Sequence, residues 1–282
     1  MEARKKVTLS YILEKKANGE KLARTALYDY PMAVLAEEAG IEIINMGDSI
    51  ATVMLGHKTT NEADLDIMIE HAKAVRAGTP SAFIMGDMPF LSYQISDEEA
   101  IRNAGRYIRE AGMDCVKVEG GMEIVHTVEA LTKAGIPVIA HTGLTPQKAL
   151  HQGGYKTQGR DVLAAVELIK EVEAFEKAGA IAVVVEAVPA EVAKIIYERS
   201  SIPILGTGCG PYSDSPMINF YDLLGFYEKN AKFAKKYADV RGVILNAVGQ
   251  FVSECHDGTY PAPEHCYKMK AGEEEKLKEI LK

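Results

Sequence analysis

Cysteine is scarce in this chain and follows no pattern. The 282 residues include four cysteines, and none of them forms a C-x-x-C pair or a spacing typical of a disulfide framework. They are Cys115, Cys209, Cys255 and Cys266. The sequence therefore predicts reduced, structural thiols and excludes the class of small proteins that disulfides hold together.

Long apolar runs are also missing. No stretch of the sequence approaches the roughly 20 apolar residues that a membrane-spanning helix needs. The first residues, Met1 to Lys6, include basic side chains, but no apolar segment follows them, so we expect no secretory signal. Together with the reduced cysteines, these features predict a cytoplasmic protein with no membrane partner.

A surplus of basic residues is absent as well. The formal net charge is −8 and the isoelectric point is about 5.5, whereas binding to nucleic acid needs a concentrated basic surface. The one dense basic run, Lys232 to Lys236, is typical of the exposed face of a helix. We therefore expect small-molecule partners and no nucleic acid.

The chain does contain a regular alternation of two kinds of segment. Short apolar runs end in Gly, Asp or Pro, and longer segments with helical periodicity lie between them. Runs that are apolar on both faces are typical of parallel strands covered by helices. The predicted strands are 23–27, 41–46, 81–86, 114–118, 136–140, 181–185, 202–205 and 217–221.

The helices between these strands share one ending. Gly40, Gly112, Gly135 and Gly179 each follow an Ala and precede a strand directly, and glycine there supplies the left-handed conformation of a helix C-terminus. Eight such units without linkers favour a barrel. A doubly wound sheet would show G-x-G-x-x-G after its first strand, and none is present.

The sequence therefore predicts an α/β protein with one domain, 1–282, built as a (β/α)₈ TIM barrel over about residues 20–225. A helix at 7–19 is expected to cap one end of the barrel. A helical extension is expected over about 226–282, with amphipathic stretches at 228–237 and 242–255 and an exposed charged tail.

Polar side chains stand at the ends of five consecutive predicted strands, the second to the sixth. They are Asp48, Ser49, Asp87, Lys117, Glu119, His141 and Glu186. The carboxyl ends of barrel strands converge on one mouth, which is where such enzymes hold their catalytic groups. Carboxylate oxygens suit a hard divalent cation such as Mg²⁺. We expect Asp48, Asp87 and Glu119 to hold the ion, directly or through water.

This set of groups indicates chemistry on a 2-oxo acid. Such a molecule can chelate the ion through its carboxylate and keto oxygens, and the ion then stabilises the enolate that forms when a C3 proton leaves. Lys117 and Ser49 can neutralise and orient the substrate carboxylate. Glu186, which follows four apolar residues, is the candidate general base.

Simpler interpretations stay open for each position taken alone. Asp48 can be the N-cap of a helix, and Lys117 and Glu119, two residues apart on one strand, can form a plain ion pair. His141 can be a loop residue bonded to backbone. Agreement among five strand ends favours the catalytic interpretation.

Several motifs with family-specific spacing coincide with these residues. They are Tyr28-Asp-Tyr30, Gly47-Asp-Ser49, Gly56-His57, Asp87-Met-Pro-Phe90, Lys117-Val-Glu-Gly-Gly121, His141-Thr-Gly-Leu-Thr-Pro-Gln147, Gly153-Gly-Tyr-Lys-Thr-Gln-Gly159, Glu186-Ala-Val-Pro189 and Tyr260-Pro-Ala-Pro-Glu-His265. With them the sequence resembles the ketopantoate hydroxymethyltransferase (3-methyl-2-oxobutanoate hydroxymethyltransferase) family from about Val7 to Tyr267.

The resemblance implies a barrel of the phosphoenolpyruvate mutase/isocitrate lyase-like group and a homo-oligomer, usually a decamer. It also implies an enzyme that uses Mg²⁺, with 5,10-methylenetetrahydrofolate as co-substrate, to hydroxymethylate 3-methyl-2-oxobutanoate. The product is ketopantoate, a precursor of pantothenate and coenzyme A.

The resemblance further implies a role for each matching residue. Glu186 is the base, with Lys117 and His141 as the other catalytic residues. Asp48 and Asp87 hold the metal, with Glu119 in the same shell. The implied substrate-binding residues are Ser49, Asp48, Asp87, Lys117 and Tyr28, and the segment Gly153 to Gly159 is the implied lid.

Three departures from the family pattern lie near the expected mouth. Asn61-Glu-Ala-Asp64 replaces the usual Leu-Pro-Val-Thr, Pro211 to Pro216 and Tyr221-Asp222 replace a segment that usually ends in His-Asp, and Ala26 replaces a Thr. The expected alternative is a paralogous 2-oxo acid aldolase or lyase with a different substrate or electrophile. A non-catalytic binding module that retains the barrel is a third hypothesis.

Overall fold

Eight parallel strands close into a barrel in the computed structural model, which describes residues 4–282. They are β1 (Arg24–Ala26), β2 (Ile43–Met46), β3 (Phe83–Asp87), β4 (Cys115–Glu119), β5 (Val138–Gly143), β6 (Ala182–Glu186), β7 (Ile204–Thr207) and β8 (Ser215–Asn219). Each strand pairs with the next in the chain, and β8 pairs with β1, where Met217 lies opposite Arg24. The predicted (β/α)₈ barrel is confirmed.

The described chain also contains α-helices, most of which lie between the strands and cover the outside of the barrel. They are α1 (Leu9–Ala17), α2 (Tyr30–Glu38), α3 (Ile50–Val53), α4 (Leu65–Gly78), α5 (Asp97–Ala111), α6 (Val125–Lys133), α7 (Val162–Lys177), α8 (Ala190–Arg199), α9 (Phe220–Leu224), α10 (Val240–Asp257) and α11 (Glu273–Ile280). The side chains of Asp29, Ser96 and Asp161 accept backbone N–H groups at the starts of α2, α5 and α7.

The four predicted glycine endings are confirmed. Gly40, Gly112, Gly135 and Gly179 all have positive φ, between 64° and 93°. In this region a side chain strains the backbone, so glycine is the residue that turns each helix into the following strand at little energetic cost. The repeated short turn places every strand in the same direction, and all the carboxyl ends therefore meet at one mouth.

Two apolar layers hold the barrel in place. One lies between the strands and the surrounding helices, where the ring of Tyr107 on α5 packs against Gly86 of β3. The other fills the amino-terminal half of the barrel interior, where Ile43, Phe83 and Leu205 meet Ile12 of α1. The N-terminal helix therefore closes the bottom of the barrel, as expected. The first three residues, Met1 to Ala3, lie outside the described residues.

The chain beyond the barrel differs in part from the sequence expectation. A helix forms at Val240–Asp257, in agreement with the predicted 242–255 stretch, but 228–237 is irregular, so that prediction is wrong. The physical reason lies in how this segment folds back. Lys236 Nζ donates hydrogen bonds to the carbonyls of Tyr227 and Glu228, and the Phe233 ring contacts Gly208 at the mouth.

Helix α10 contributes no buried side chain to the described protein. One face is apolar and exposed, and we call it the α10 apolar face: Ile244, Leu245, Val248, Phe251 and Val252. Among residues 4–282, no helix is long and apolar enough to cross a membrane. All four cysteines are free within the same range, as predicted.

Candidate active site

A cavity of about 160 Å³ opens at the carboxyl ends of the strands. All but one of the candidate residues from the sequence line it: Asp48, Ser49, Asp87, Lys117, Glu119, His141 and Glu186. Tyr28, the exception, is fully buried beside it. Residues from five separate strands therefore form one site, as predicted, because in a parallel barrel the carboxyl ends of the strands share one rim.

Lys117 is the charged centre of this site. Its ammonium lies 2.9 Å from Asp87 Oδ2 and 3.4 Å from Glu119 Oε2, and all three side chains are almost fully buried. Burial lowers the pKa of Lys117, but the charges of Asp87, Glu119 and Asp48 outweigh it and raise that pKa well above the usual value. Lys117 is therefore a permanent cation at the cavity wall.

His141 lies between two carboxylates. Its Nδ1 is 3.3 Å from Glu119 Oε2, and its Nε2 is 3.4 Å from Glu186 Oε2. The second contact does not have hydrogen-bond geometry, and we treat it as an electrostatic contact. Burial and the Lys117 charge lower the pKa of His141, yet Glu119 and Glu186 raise it above the usual value overall. The ring can therefore carry a proton that balances the two acids.

Two carboxylates face the cavity with capacity to bind a cation. Asp87 Oδ1 is buried and has no hydrogen-bond partner among the described residues. Burial, together with the negative charge of Glu119, raises the pKa of Asp48 to about 7. A bound cation would satisfy the first atom and offset the repulsion at the second, and Mg²⁺ commonly takes one or two protein carboxylates with water completing the shell. The donor set fits Mg²⁺.

Glu119 does not complete a three-residue metal site. In the described part of the chain, no three His, Cys, Asp or Glu side chains come close enough together to hold one ion. Both oxygens of Glu119 are already engaged, Oε1 by the Gln147 N–H at 2.7 Å and Oε2 by Lys117 and His141. Any contact of Glu119 with an ion at Asp48 and Asp87 would pass through water.

Gln147 connects the two halves of the site, and sequence reasoning did not single it out. Its Nε2 donates to Asp48 Oδ2 at 2.7 Å and to the Met88 carbonyl at 3.0 Å, and its Oε1 accepts from the Tyr93 hydroxyl at 2.9 Å. It lies on a 3-10 helix, Pro146–Lys148, just after β5. The signal was its place at the end of the motif that begins at His141.

Tyr28 acts through a neighbour. Its hydroxyl is 2.7 Å from Ser49 Oγ and accepts a hydrogen bond from Asn219 Nδ2 at 2.5 Å. Because these contacts fix the hydroxyl of Ser49 at the cavity wall, Tyr28 orients a group that a ligand can touch. The predicted substrate contact of Tyr28 itself stays a prediction.

Part of the cavity floor is polar, which the sequence analysis did not predict, although Val184 and Met217 also line it. Asn45 and Thr207 line it, and both accept hydrogen bonds from Arg24 one layer below, at 3.3 and 3.2 Å. The guanidinium also donates to the Gly206 carbonyl at 2.9 Å. Arg24 and Asn45 interrupt otherwise apolar strands, and that interruption was the available signal.

The segment 61–64, which departs from the family sequence pattern, has mainly a local structural role. Asp64 caps α4 by accepting the N–H groups of Asp66 and Ile67, and Glu62 accepts the N–H groups of Lys58 and Thr59. Asn61 reaches the site, where its Nδ2 donates to the Gln147 carbonyl at 3.1 Å. The substitution therefore contacts the network that holds Asp48.

Comparison with known proteins identifies relatives of this chain. A sequence model described as ketopantoate hydroxymethyltransferase matches residues 6–263. A protein of Heliobacterium modesticaldum named 3-methyl-2-oxobutanoate hydroxymethyltransferase is 46% identical over 266 residues, covering 94% of this chain and 96% of its own. A protein of the same name from Syntrophomonas wolfei is 43% identical over the same shares of the two chains.

Solved structures of similar fold come from more distant proteins. A phosphonopyruvate hydrolase in complex with oxalate and Mg²⁺ superposes with a TM-score of 0.61 at 16% identity, over 97% of this chain and 96% of its own. A 2,3-dimethylmalate lyase of the phosphoenolpyruvate mutase/isocitrate lyase superfamily gives 0.59 at 16% identity, over 97% of each chain. These show the fold, whereas the sequence matches over nearly the whole chain show the family: the chain belongs to the ketopantoate hydroxymethyltransferase family of enzymes.

Proposed function

We propose that this enzyme transfers a hydroxymethyl group from 5,10-methylenetetrahydrofolate to 3-methyl-2-oxobutanoate in a Mg²⁺-dependent reaction. The product is 2-dehydropantoate, also called ketopantoate, in the biosynthesis of pantothenate and coenzyme A. The observation that carries the proposal is the meeting of Asp48, Asp87, Lys117 and Glu186 around one cavity of about 160 Å³.

Asp48 and Asp87 would hold the metal. Their free oxygen capacity and the raised pKa of Asp48, which follows from burial and the charge of Glu119, support this assignment. When bound, Mg²⁺ would act as a Lewis acid toward the 2-oxo group and stabilise negative charge on its oxygen. Glu119 and Gln147 would keep the two aspartates in position rather than bind the substrate.

Lys117 and Ser49 would bind the substrate carboxylate. Lys117 offers a fixed positive charge at the cavity wall, and Ser49 offers a hydroxyl that Tyr28 already orients. Because both partners are held before the substrate arrives, little side-chain freedom is lost on binding. The 2-oxo acid would then lie with one end fixed against β2 and β4.

Glu186 would remove the C3 proton. Its side chain, 20% exposed, is more open than those of Asp48, Asp87 and Glu119, and it lies at the end of β6, two strands from Lys117 on β4. His141 would stay in contact with Glu186 and hold its carboxylate toward the cavity. The resulting carbon nucleophile would attack the one-carbon donor from the open mouth, with Gly153 to Gly159 as a lid.

An aldolase or lyase that uses the same proton abstraction is the second candidate. The observation that favours it is the polar floor formed by Asn45 and Thr207, since the substituent of 3-methyl-2-oxobutanoate is purely aliphatic. Failure of the gene to rescue a pantothenate auxotroph would favour this candidate, and robust rescue would exclude it.

We also propose a homo-oligomer, with the decamer as the expected size, and a cytoplasmic location. The exposed α10 apolar face supports the first, because apolar side chains in such a row are normally covered by another surface. The free cysteines agree with the second.

Deuterium exchange tests the proposed chemistry. With Mg²⁺ and 3-methyl-2-oxobutanoate in deuterated water, the protein should incorporate deuterium at C3, and with the folate donor it should form ketopantoate. Glu186→Gln should lower exchange by at least about a hundredfold, since positioned general bases commonly contribute this much. The matched control, Glu191→Gln on the exposed surface of α8, should keep the wild-type rate. Equal exchange in Glu186→Gln and wild type would show that another group is the base.

A further inference from the structure

Arg24 is a buried cation without an anionic partner. Its side chain is in the barrel interior, and no carboxylate of the described residues forms an ion pair with it. Its Nε has no hydrogen-bond acceptor. Burial lowers the pKa of Arg24 to about 10, so the guanidinium is still charged at neutral pH. A buried charge with incomplete compensation is costly, which calls for a function.

Arg24 fixes the orientation of two side chains above it. A guanidinium can only donate hydrogen bonds, so Asn45 must turn its Oδ1, and Thr207 its hydroxyl lone pair, toward Arg24. The Asn45 Nδ2 group and the Thr207 hydroxyl proton are then directed away from Arg24. Neither group donates to another residue in the part of the chain that the structure describes.

The free hydrogen-bond donors of Asn45 and Thr207 are available to a molecule in the cavity. Both residues line it, and β1 alternates in register, so that Ala26 lines the cavity directly above Arg24 on the same face of the strand. Ala26 has no polar atom in its side chain and leaves open space there. The floor is thus a pair of hydrogen-bond donors with a positive charge behind them.

We propose that this floor, formed by Asn45 and Thr207 over Arg24, is a binding subsite for a hydrogen-bond-accepting oxygen at the far end of the substrate. The preferred substrate is then a 2-oxo acid whose substituent ends in a hydroxyl or a carboxylate. The proposal rests on the 2-oxo acid chemistry that both candidates under the proposed function share. It favours the second candidate, because 3-methyl-2-oxobutanoate carries no such oxygen. An aliphatic end would leave both donors without a partner, which is a strong basis for discrimination.

Direct binding measurements test the subsite separately from catalysis. The probes are three 2-oxo acids of equal chain length: 2-oxopentanoate, 5-hydroxy-2-oxopentanoate and 2-oxoglutarate, which end in a methyl, a hydroxyl and a carboxylate. Calorimetric titration of the full-length protein with Mg²⁺ present should give dissociation constants at least about tenfold lower for one or both oxygen-bearing acids. Which of the two binds more tightly identifies the oxygen that the floor receives.

Two variants show whether the floor causes the preference. Thr207→Val keeps the side-chain shape but removes one donor, and it should reduce the ratio of affinities by about fivefold. Arg24→Met removes the charge and should abolish the preference. If Arg24→Met fails to fold by circular dichroism, Thr207→Val still decides the matter. Thr259→Val, on the exposed turn after α10, is the matched control and should keep the wild-type ratio.

The outcomes separate this subsite from the proposed function. Equal affinity for the three acids, an unchanged ratio in Thr207→Val, or no binding of any of them would overturn the subsite. A preference for the oxygen-bearing acids that Thr207→Val weakens supports it. If that preference is found but no acid exchanges deuterium at C3, the subsite stands and the proposed enolate chemistry is wrong.

Discussion

Gln147 positions two carboxylates at the barrel mouth, those of Asp48 and Glu119. Its amide donates to Asp48 while its backbone N–H donates to Glu119, so one residue sets the separation of two carboxylates that repel each other. Its Oε1 is in turn held by Tyr93 and by Gln94, at 2.9 and 3.1 Å. The orientation of Asp48 is therefore determined by a residue that lines no part of the cavity.

Replacing Gln147 should weaken catalysis more than it weakens the fold. We expect Gln147→Leu to lower kcat/KM and Mg²⁺ affinity by about 10- to 100-fold, as is usual for residues that orient metal ligands. Gln147→Glu should be worse, because it places another negative charge beside Asp48. Kinetics and metal titration would measure both.

Gln94→Leu is the matched control for this prediction. Gln94 is exposed and bonds the same amide of Gln147 from the other side without touching a carboxylate. It should lose less than about threefold in kcat/KM. A Gln147→Leu enzyme that behaves like Gln94→Leu would mean that Asp48 needs no support.

At the scale of single residues, the sequence predicted the parts of the site that follow a strand. Asp87 and Glu186 are polar residues directly after apolar runs, and the barrel rule assigns such residues to the mouth. Gln147 lies beyond the strand on a 3-10 helix, where that rule does not reach. Arg24 and Asn45 lie within strands, and a polar residue inside a strand is as compatible with a structural role as with a binding one.

The backbones of β5 and β6 approach each other closely at the carboxyl ends of the two strands. Gly143 has φ +91°, and a Cβ atom there would lie 2.3 Å from the carbonyl oxygen of Glu186 and 2.8 Å from Val188. No side chain fits that space. The position of the candidate base therefore depends on the absence of a side chain on the neighbouring strand.

Gly143→Ala should destabilise the protein and displace Glu186. We expect a loss of at least about 3 kcal/mol in the free energy of unfolding, from backbone strain and overpacking combined, and a large loss of exchange activity. Chemical denaturation and the exchange assay would measure the two effects.

Gly112→Ala is the control that isolates backbone strain. Gly112 also has positive φ, +64°, but a Cβ atom there would meet only Arg76 Cγ, at 3.7 Å. It should lose about 1–2 kcal/mol and retain activity. Equal losses in the two variants would show that the contact with Glu186 is unimportant.

The elements themselves were predictable where periodicity and helix ends agreed. Helix α5 ends at Gly112, as the sequence predicted, and the Ser96 side chain caps its start. The stretch 228–237 has a helical pattern but lacks such ends. Its irregular path is determined by the contact of Phe233 with Gly208 at the barrel mouth and by the bonds of Lys236 to the carbonyls of Tyr227 and Glu228. Tertiary contacts of this kind leave no local signal in the sequence.

At the scale of the whole molecule, the α10 apolar face is an exposed apolar surface with no partner in the described protein. On a helical projection its five residues share one side, whereas Asn246 and Gln250 lie on the opposite side. A helix with no buried side chain is a poor structural element unless another surface covers it. The proposed homo-oligomer would cover such a face.

Charges on that face should reduce the size of the assembly. We expect Val248→Lys combined with Phe251→Lys to shift the mass measured by light scattering toward smaller species, because lysine is strongly disfavoured in an apolar interface. Asn246→Lys combined with Gln250→Lys adds the same charge to the same helix and should leave the mass unchanged. A wild-type protein that is monomeric at micromolar concentration would contradict the prediction.

The apolar layer at the bottom of the barrel affects the order in which substrates bind and products leave. Ile43, Phe83 and Leu205 fill the amino-terminal half of the barrel interior, and Ile12 of α1 covers them, so the cavity is closed at that end of the barrel. A molecule that reaches the floor has to enter first, and it leaves only after anything bound above it has gone. The kinetics of this enzyme should therefore be of the compulsory-order kind, with the 2-oxo acid first in and its product last out.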